Sequence, residues 1–465
     1  MKAVKGKYYF GGIHPHGMKE LSKSAALEVL PEPNEVAIST SQSLGKPAAP
    51  TVSVGQAVKE GEVIATADGA ISSNVFASIS GTVKEIKCID GEQYIVIQSD
   101  GQNQKKWLTP LTSPDADAIQ ARIKDAGIVG LGGAGFPTAV KVSPSSHVDT
   151  LIVNGAECEP YLTCDHRLMI EKTEEIAKGA RYIAQALNVK KIMIGIEANK
   201  PDAVNAFEAF EDIQPVILKK QYPMGGEKQL IYVTTGRKVG LGKLPMDVGV
   251  VVQNVATCYA VYEAVELGKP LYERVVTVSG KAVATPKNLW VKVGTPVQSI
   301  VDYCGGETEA PKKAVLGGPM TGKALASYDT YTHKTTSGVL LLSKKEAAAA
   351  EPTPCINCGK CADVCPMHLM PMNTAFYAES GDFEAAEKYG NALACIECGA
   401  CEYICPAKRP LIQAIRKTKA GLRKPAPAPK KEEVKDVAGQ PIKEIDGKPA
   451  KEAITDTLKK EENNG

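Results

Sequence analysis

The run Cys355-Ile-Asn-Cys358-Gly-Lys-Cys361-Ala-Asp-Val-Cys365-Pro366 returns forty positions later as Cys395-Ile-Glu-Cys398-Gly-Ala-Cys401-Glu-Tyr-Ile-Cys405-Pro406. Bacterial proteins that bind two 4Fe-4S clusters use this spacing, in which three thiolates of one run and the last thiolate of the other bind each cluster. The sequence therefore predicts one cluster on Cys355, Cys358, Cys361 and Cys405 and a second cluster on Cys365, Cys395, Cys398 and Cys401.

A pair of zinc knuckles is the alternative, because two Cys-x-x-Cys pairs also suit tetrahedral zinc. Zinc does not explain why the third and fourth cysteines are repeated together with the prolines that follow them. A disulfide scaffold is disfavoured, since we expect no secretory leader and clustered cysteines in an intracellular chain indicate metal.

The bulk composition bounds the class of protein. A chain of 465 residues is long enough for several domains. Its 55 basic residues nearly balance its 53 acidic residues, which disfavours nucleic acid as a partner. No apolar run approaches the roughly 18 residues that a membrane helix needs, so any membrane contact is expected to be peripheral.

Composition and periodicity divide the chain into five parts, and the fold class is multidomain, α+β and α/β. Residues 1–112 carry short strands punctuated by glycine, such as Ile79-Ser-Gly-Thr-Val-Lys-Glu-Ile. This stretch is similar to the barrel-sandwich fold of biotinyl and lipoyl carriers. The expected hairpin reads Ala67-Asp68-Gly69 and has no lysine to modify, so we predict a purely structural use of that fold.

Residues 113–270 alternate helices with apolar strands, such as Thr150-Leu-Ile-Val-Asn, and predict an α/β domain. Residues 271–345 are predicted to form a β-grasp (SLBB-like) domain, and residues 350–415 a double 4Fe-4S, ferredoxin-like domain. The Ala, Pro and Lys-rich tail, 424–465, has too few large apolar residues to fold alone and is predicted to be disordered.

A glycine-rich loop, Gly127-Ile-Val-Gly130-Leu-Gly132-Gly133-Ala-Gly135-Phe136-Pro137-Thr138, precedes the first long strand of the α/β domain. Glycine is locally costly, and such density is typical of a backbone that approaches a ligand closely. After the next strand comes a polar cluster, Asn154-Gly-Ala-Glu157-Cys-Glu159-Pro160. Ligands of α/β folds bind at the carboxyl ends of strands, so loop and cluster together predict a nucleotide site.

These two motifs resemble the FMN- and NADH-binding flavoprotein subunit of respiratory complex I. Two further matches, Tyr222-Pro-Met-Gly225-Gly226-Glu227-Lys228-Gln-Leu and Gln253-Asn254-Val-Ala-Thr257, follow in the same order. With the N-terminal Gly-Gly-Ile-His-Pro, the β-grasp part and the cysteine runs, residues 1–415 are similar throughout to the RnfC family of the Rnf ion-translocating electron transport complex.

The resemblance implies an FMN site and an NADH site on particular residues. It implies FMN contacts from Gly130, Gly132, Gly133, Gly135, Asn154, Tyr222, Gly225, Glu227, Gln253, Asn254 and Thr257. It implies NADH contacts from Phe136, Lys141 and Glu159, whose aromatic face, ammonium and carboxylate suit adenine, pyrophosphate and nicotinamide or ribose. Complex I has arginine, aspartate and glutamate where this chain has Leu131, Ala156 and Gly226, so the flavin site is expected to be less charged.

The function implied by the resemblance is exchange of a hydride between NAD(H) and FMN, followed by single-electron exchange with the two clusters. The protein would be the peripheral NAD(H)-reacting subunit of a ferredoxin:NAD+ oxidoreductase coupled to Na+ or H+ translocation, and no side chain is predicted to act as a catalytic acid or base. One competing interpretation is the related cobalamin reductase of bacterial microcompartments. Another is a flavin-free electron-wire adaptor.

The implied partners are the ferredoxin-like electron-carrying subunits and the membrane-embedded subunits of the complex, on the cytoplasmic side of the cell membrane. Residues 411–424 offer a second route to the membrane, because Leu411, Ile412, Ile415 and Leu422 can form one apolar face. The preferred interpretation is that this segment closes the ferredoxin-like domain.

Overall fold

A computed structural model describes residues 1–347 and 351–423, together with the two-residue strands Glu444–Ile445 and Lys448–Pro449. The rest of the predicted disordered tail, 424–465, lies outside the described residues. No described helix is both long and apolar enough to cross a membrane.

The α/β domain is built on a five-stranded parallel sheet. Its strands, in spatial order, are Val4–Lys5, Ile213–Leu218, Lys191–Glu197, Thr150–Gly155 and Val250–Asn254. The middle residues of the central strands are apolar because helices cover both faces of the sheet. In this register Asn154 lies opposite Asn254, so the polar residues that end the two strands meet at one edge of the sheet.

Helices and 3-10 turns connect these strands, in agreement with the predicted alternation of helices and strands. They are Ala116–Asp125, Thr138–Lys141, Cys164–Glu171, Thr173–Ala186, Pro201–Glu208, Glu227–Thr235, the 3-10 turn Pro245–Val248, and Val255–Tyr262, which continues as the π-helix Glu263–Leu267. Thr173–Ala186 packs its apolar face closely against Val255–Tyr262, since Gly179 leaves no room for a Cβ beside the Cys258 carbonyl.

The N-terminal barrel consists of two antiparallel sheets. One has the order Glu35–Ser39, Glu92–Ser99, Gly81–Ile89 and Ala57–Val58, and the other Ala49–Pro50, Val63–Thr66 and Val75–Phe76. Buried β-branched residues from both sheets form their common core.

The first thirty residues depart from the prediction that residues 1–112 form one module. Val4–Lys5 adds an edge strand to the parallel sheet through Val216, and Leu27–Val29 joins the β-grasp sheet through Asn288. Between them lies the 3-10 turn Lys19–Leu21. Strands of two and three residues carry no readable periodicity, and their partners are far away in sequence, so local pattern could not place them.

The β-grasp domain has a six-stranded sheet that packs against one helix. The strand order is Lys323–Leu325, Lys313–Leu316, Gly338–Leu342, Glu273–Ser279, Lys287–Lys292 and Leu27–Val29, and the helix is Val297–Tyr303. The helix buries Val297, Ile300 and Val301 in the core of this domain.

The ferredoxin-like domain repeats one local structure around each cysteine run. Gly359 and Gly399 have φ values of 76° and 77°, and each precedes a short helix, Lys360–Asp363 and Ala400–Ile404. The left-handed backbone at both glycines makes the tight turn that brings the cysteines around one face. The remaining elements are Pro371–Ser380, Phe383–Gly390, the 3-10 turn Ala392–Ala394 and Leu411–Arg423.

The last helix, Leu411–Arg423, closes the ferredoxin-like domain, which is the interpretation that the sequence favoured. Leu411, Ile412 and Ile415 are buried beside Cys401. The Lys419 ammonium donates to the Cys395 carbonyl at 2.7 Å, so the helix is tied to a cysteine run. Its apolar face is therefore not available to a membrane surface.

Candidate cofactor sites

The glycine loop lies at the carboxyl edge of the parallel sheet. The Gly130 N–H donates to the Phe136 carbonyl at 2.9 Å, and the Leu131 N–H donates to the Thr257 hydroxyl at 3.0 Å, which closes the loop on itself and on the sheet. The next four N–H groups have no acceptor among the described residues; they belong to Gly132, Gly133, Ala134 and Gly135. Free consecutive amides are what an anionic group binds.

Two glycines of this loop differ in the space around them. A Cβ on Gly132 would lie 2.8 Å from the Asn254 amide nitrogen, so only glycine allows the loop to approach the strand end. Gly133 has open space within 4 Å of the position that its Cβ would occupy. The loop therefore presents bare backbone towards an open volume rather than towards protein.

The strand ends supply side-chain amides beneath the loop. The Asn154 amide donates to the Gly225 carbonyl at 2.9 Å. Asn254 caps the helix that starts at Val255, and its amide donates to the Asp165 carboxylate at 2.8 Å. Gln253 is 2% exposed, and its Nε2 has no hydrogen-bond partner in the described residues. An unpartnered buried donor at this edge fits a polar ligand such as a flavin.

Lys141 and Glu227 meet at the same edge, although 86 residues separate them in the sequence. The Lys141 ammonium lies 2.7 Å from a Glu227 carboxylate oxygen and also donates to the Val252 carbonyl at 3.3 Å. Glu227 begins its helix, whose positive N-terminal dipole favours an acidic residue in that position. Phe136 is half-buried on the far side of the glycine loop.

Asp165 belongs to this site but was not predicted from the sequence. Its carboxylate accepts from Asn254, and burial next to Glu157 raises the pKa of Asp165 to about 6. The available signal was an acidic residue in the first turn of a helix that follows the Asn154–Glu159 cluster, and this signal is weak on its own.

Two predicted ligand contacts, Glu159 and Tyr222, point away from the loop. The Glu159 carboxylate accepts from the Met320 N–H at 3.0 Å and from the Thr321 hydroxyl at 2.5 Å, both in the β-grasp domain. Burial raises the pKa of Glu159. The Tyr222 hydroxyl donates to the Cys398 carbonyl at 2.7 Å. Their roles towards NADH and FMN stay predictions.

The cysteines predicted for the second cluster surround one cavity. Cys365, Cys395, Cys398 and Cys401 line it together with apolar neighbours, among them Leu369, Ile412 and Ile415. Burial raises the pKa of Cys398 to about 11 and that of Cys395 above its ordinary value, and the neighbouring thiols reinforce both shifts. Bound iron would supply the positive charge that stabilises thiolates in such a buried site.

The first predicted cluster lies nearer the surface. Cys355 and Cys358 are exposed, while Cys361 and Cys405 are partly buried. The Cys361 sulfur lies 3.5 Å from the Met372 sulfur. Burial raises the pKa of Cys361, and the nearby Cys355 thiol adds to this shift. In residues 1–347 and 351–423, no three His, Cys, Asp or Glu side chains converge on a point as the ligands of a single ion do. Thiols spread around a cavity suit a cubane, which is itself several ångströms wide, better than a zinc ion.

Direct contacts join the second cluster's ligand loops to the α/β domain. The Gly12 N–H donates to the Val364 carbonyl at 2.8 Å, and the Gln229 amide donates to the Pro366 carbonyl at 3.1 Å. A third hydrogen bond runs from the Tyr222 hydroxyl to the Cys398 carbonyl. Both segments that carry cysteines predicted for the second cluster are therefore held by hydrogen bonds. The segments that carry Cys365 and Cys398 therefore contact the flavin-type domain.

The fold and the two sites define a class of protein, the multidomain flavin and iron–sulfur electron-transfer proteins. Family models match along the chain in this order: the RnfC barrel sandwich hybrid domain at residues 7–102, the Nuo51 FMN-binding domain at 123–263, the SLBB domain at 275–324 and the 4Fe-4S dicluster domain at 354–409. The predicted fold class and cofactor types, FMN and two 4Fe-4S clusters, are confirmed by these matches.

The relatives define the family more closely. The chain is 44% identical over 89% of its length to the C subunit of the proton-translocating ferredoxin:NAD(+) oxidoreductase complex of Clostridium ljungdahlii, of which 94% is covered. It is 43% identical over 90% of its length to the Na(+)-translocating counterpart of Acetobacterium woodii, of which 97% is covered. The chain belongs to the RnfC family, the C subunits of the ion-translocating oxidoreductase complexes.

Among solved structures, an NAD+-reducing [NiFe]-hydrogenase in the air-oxidized state matches 66% of this chain and 63% of that chain at 21% identity, with a TM-score of 0.47. That likeness is too low to carry an argument.

Proposed function

We propose that the chain is the NAD(H)-reacting subunit of a ferredoxin:NAD+ oxidoreductase complex coupled to Na+ or H+ translocation. One observation carries the proposal: a loop of free backbone amides and a cavity lined by four cysteines lie in one chain, and hydrogen bonds from Tyr222 and Gln229 join the domain that holds the loop to the two cysteine runs. The names of the Clostridium ljungdahlii and Acetobacterium woodii relatives, which describe components of ferredoxin:NAD(+) oxidoreductase complexes, support it.

The flavin would lie at the carboxyl edge of the parallel sheet. The amides of Gly132 and Gly133 would hold its phosphate, and Gln253 would donate its unpartnered N–H to a polar atom of the ligand. The other predicted FMN contacts would line the same edge, except that the Tyr222 hydroxyl is bonded to Cys398; they are Gly130, Gly135, Asn154, Gly225, Glu227, Asn254 and Thr257. Bound FMN supplies two-electron chemistry, and bound 4Fe-4S clusters supply one-electron chemistry.

NAD(H) would bind on the outer side of this edge. Phe136 offers a half-buried aromatic face for adenine, and the Lys141 ammonium can turn from Glu227 to a pyrophosphate. Glu159 would have to break its hydrogen bonds with Met320 and Thr321 before it could accept one from NADH. Of the three predicted NADH contacts, it is therefore the least supported by the geometry.

The cysteines would hold two clusters in the crossed pairing, with Cys365, Cys395, Cys398 and Cys401 on the flavin side and Cys355, Cys358, Cys361 and Cys405 on the outer side. The apolar walls around the inner cavity exclude water, which keeps its ligands away from solvent and oxidants. The exposed outer cysteines leave that cluster accessible to an electron-carrying protein of the same complex.

We further propose that partner subunits hold the chain at the cytoplasmic side of the cell membrane. The relatives' names describe complexes that translocate ions, and other subunits of such a complex would supply the membrane-embedded part. Their identities and docking faces are the finer part of this proposal.

An anaerobic titration tests the function. The full chain is purified with its clusters reconstituted, flavin and iron are quantified, and NADH is added while flavin absorbance and the paramagnetic signal of reduced clusters are followed. We expect about one FMN and about eight iron atoms per chain, flavin bleaching and cluster reduction. Two clusters without flavin and without a response to NADH would instead establish an electron-wire adaptor.

A further inference from the structure

We propose that Arg274 and Lys334, both supplied by the β-grasp domain, are positioning residues for the flavin phosphate. Their role is to hold the carbonyls on the inner side of the glycine loop and to place two cations behind its free amides. The inference rests on the proposed function, because it assigns a role to residues outside the flavin-type domain in binding the same FMN.

Lys334 holds the start of the loop. Its side chain is 1% exposed, and its ammonium donates to the Gly127 carbonyl at 2.8 Å and to the Asn74 carbonyl at 2.7 Å. A third contact, at 3.3 Å, is to the Ser73 hydroxyl. One buried ammonium therefore joins the β-grasp domain, the barrel and the glycine loop.

Arg274 holds the middle of the loop. It is 3% exposed, and one guanidinium nitrogen donates to the Leu131 carbonyl at 3.1 Å and to the Lys334 carbonyl at 2.8 Å. Its Nε donates to the Val275 carbonyl at 3.2 Å. The two side chains thus act as one unit, since Arg274 also fixes the backbone from which Lys334 extends.

Arg274 binds the Leu131 carbonyl and Lys334 binds the Gly127 carbonyl on the inner side of the loop. Because they are held there, these two carbonyls cannot turn towards the ligand. The N–H groups of Gly132 and Gly133 remain without an acceptor in the described residues, and the space beside Gly133 is open. The barrel adds a third restraint, because the Leu44 N–H donates to the Gly135 carbonyl at 3.0 Å. The loop is consequently preorganised by two neighbouring domains before any ligand binds.

Residues 127–138 contain no charged side chain, so the loop itself offers an anion only backbone dipoles. Burial alone lowers the pKa of Lys334 to about 7. The pKa of Arg274 is also lowered by burial, and the acidic groups that counter this are Cys164 and Asp165. Such desolvated cations are costly unless an anion shares their field, and a phosphate on the facing amides supplies one.

The experiment compares FMN with riboflavin, which lacks the phosphate, on the full chain with reconstituted clusters after removal of flavin. Quenching of flavin fluorescence gives both dissociation constants for the wild type, Arg274→Gln and Lys334→Met. We expect each variant to weaken FMN binding by about tenfold, with riboflavin affinity changed by less than about twofold.

Arg122→Gln is the matched control. Arg122 is likewise buried and donates only to backbone carbonyls, those of Ala264 and Thr109, but it does not contact the glycine loop. We expect this variant to lower the melting temperature and to leave the ratio of the FMN and riboflavin dissociation constants unchanged. Lys334→Met removes a costly buried charge, so it provides a folded variant if Arg274→Gln is unstable.

The outcomes separate this inference from the proposed function. A wild-type chain that binds neither flavin would refute the proposed function itself. A wild type that binds FMN, with variants that weaken FMN and riboflavin equally or leave both unchanged, would overturn the role of Arg274 and Lys334 alone. If riboflavin binding to the wild type is too weak to measure, a fall in FMN affinity matched by Arg122→Gln would overturn it too.

Discussion

The hydroxyl of Tyr222 donates to the backbone carbonyl of Cys398 at 2.7 Å across 176 residues of sequence. Tyr222 is 3% exposed and lies three positions before Gly225, whose carbonyl accepts from Asn154 at the flavin edge. A single short loop therefore contacts both the carboxyl edge of the sheet and the segment that carries Cys398, a predicted ligand of the second cluster. We take this loop to set the spacing between the two redox sites.

Replacing Tyr222 by phenylalanine should detach this segment without emptying either site. The Cys398 carbonyl would lose its donor, at a cost of about 1 kcal/mol in the free energy of unfolding. We expect slower reduction of the clusters by NADH in rapid-mixing experiments and a shifted midpoint potential of one cluster in an EPR-monitored redox titration. Flavin content should be unchanged.

Tyr182→Phe is the control for this experiment, because the Tyr182 hydroxyl donates to Glu266 on the remote side of the domain. An equal effect of both substitutions on the cluster potential would show that Tyr222 acts only through general stability.

In the crossed pairing each cluster takes three cysteines from one run and one from the other. This pairing predicts which single cysteine substitutions remove the same cluster. Cys365→Ala and Cys395→Ala should remove the inner cluster, and Cys355→Ala and Cys405→Ala the outer one, in each case with a fall from about eight to about four iron atoms per chain. Iron analysis and EPR of the reduced chain distinguish the two residual signals. If Cys365→Ala resembled Cys355→Ala instead, each run would bind its own cluster and the crossing would be wrong.

Local chemistry made much of this architecture predictable. The repeated cysteine spacing and the glycine loop are short motifs, and each indicates a cofactor without reference to the rest of the chain. In the structure both motifs form the kind of local turn that the sequence predicts. Asn154 was predictable for a related reason, since it ends an apolar strand and parallel strands share one carboxyl edge, whereas Gln253 and Asn254 were predicted from the resemblance alone.

Contacts between domains could not be predicted in the same way. Tyr222 was assigned to the flavin by its position in a motif, but packing against Cys398 decides where its ring lies. Arg274 and Lys334 stand in an ordinary β-rich stretch and gain their significance only where three domains meet. Val4–Lys5 was missed because an edge strand of two residues has no pattern of its own.

Gln253 offers a test in which stability and binding move in opposite directions. Its buried Nε2 has no acceptor in the described residues, which costs about 1 to 3 kcal/mol in the ligand-free chain. Gln253→Met, of similar volume, should therefore raise the melting temperature of the flavin-free protein and weaken FMN binding by about tenfold.

Gln221→Met is the comparison, because the buried Gln221 amide already donates to the Gly11 carbonyl. That variant should lose stability. A Gln253→Met protein that is less stable without flavin, or that binds FMN as tightly as the wild type, would contradict the assignment.

Asp165 gives the site a pH dependence whose sign can be worked out. Burial beside Glu157 raises its pKa from 3.8 to about 6 in the folded chain. Between these two values the native carboxyl keeps a proton that the unfolded chain has released. The native state then binds more protons, so the Asp165 contribution to the free energy of unfolding falls as pH rises through this window and levels off above it.

Asp165→Asn removes this loss, because the neutral amide oxygen can still accept from Asn254. Relative to the wild type, the variant should be equally stable near pH 4 and more stable by about 2 kcal/mol at pH 7, as measured by denaturant unfolding of the flavin-free chain. Asp212→Asn should show the opposite sign, since the hydrogen bond from Arg181 lowers the pKa of Asp212 and that stabilisation is present at neutral pH and lost in acid. A stability difference for Asp165→Asn that does not change with pH would mean that the carboxyl is ionised throughout. In that case Asn254 would face a permanent negative charge, and a phosphate could not lie on the adjacent amides without the cations of Arg274 and Lys334 to offset it.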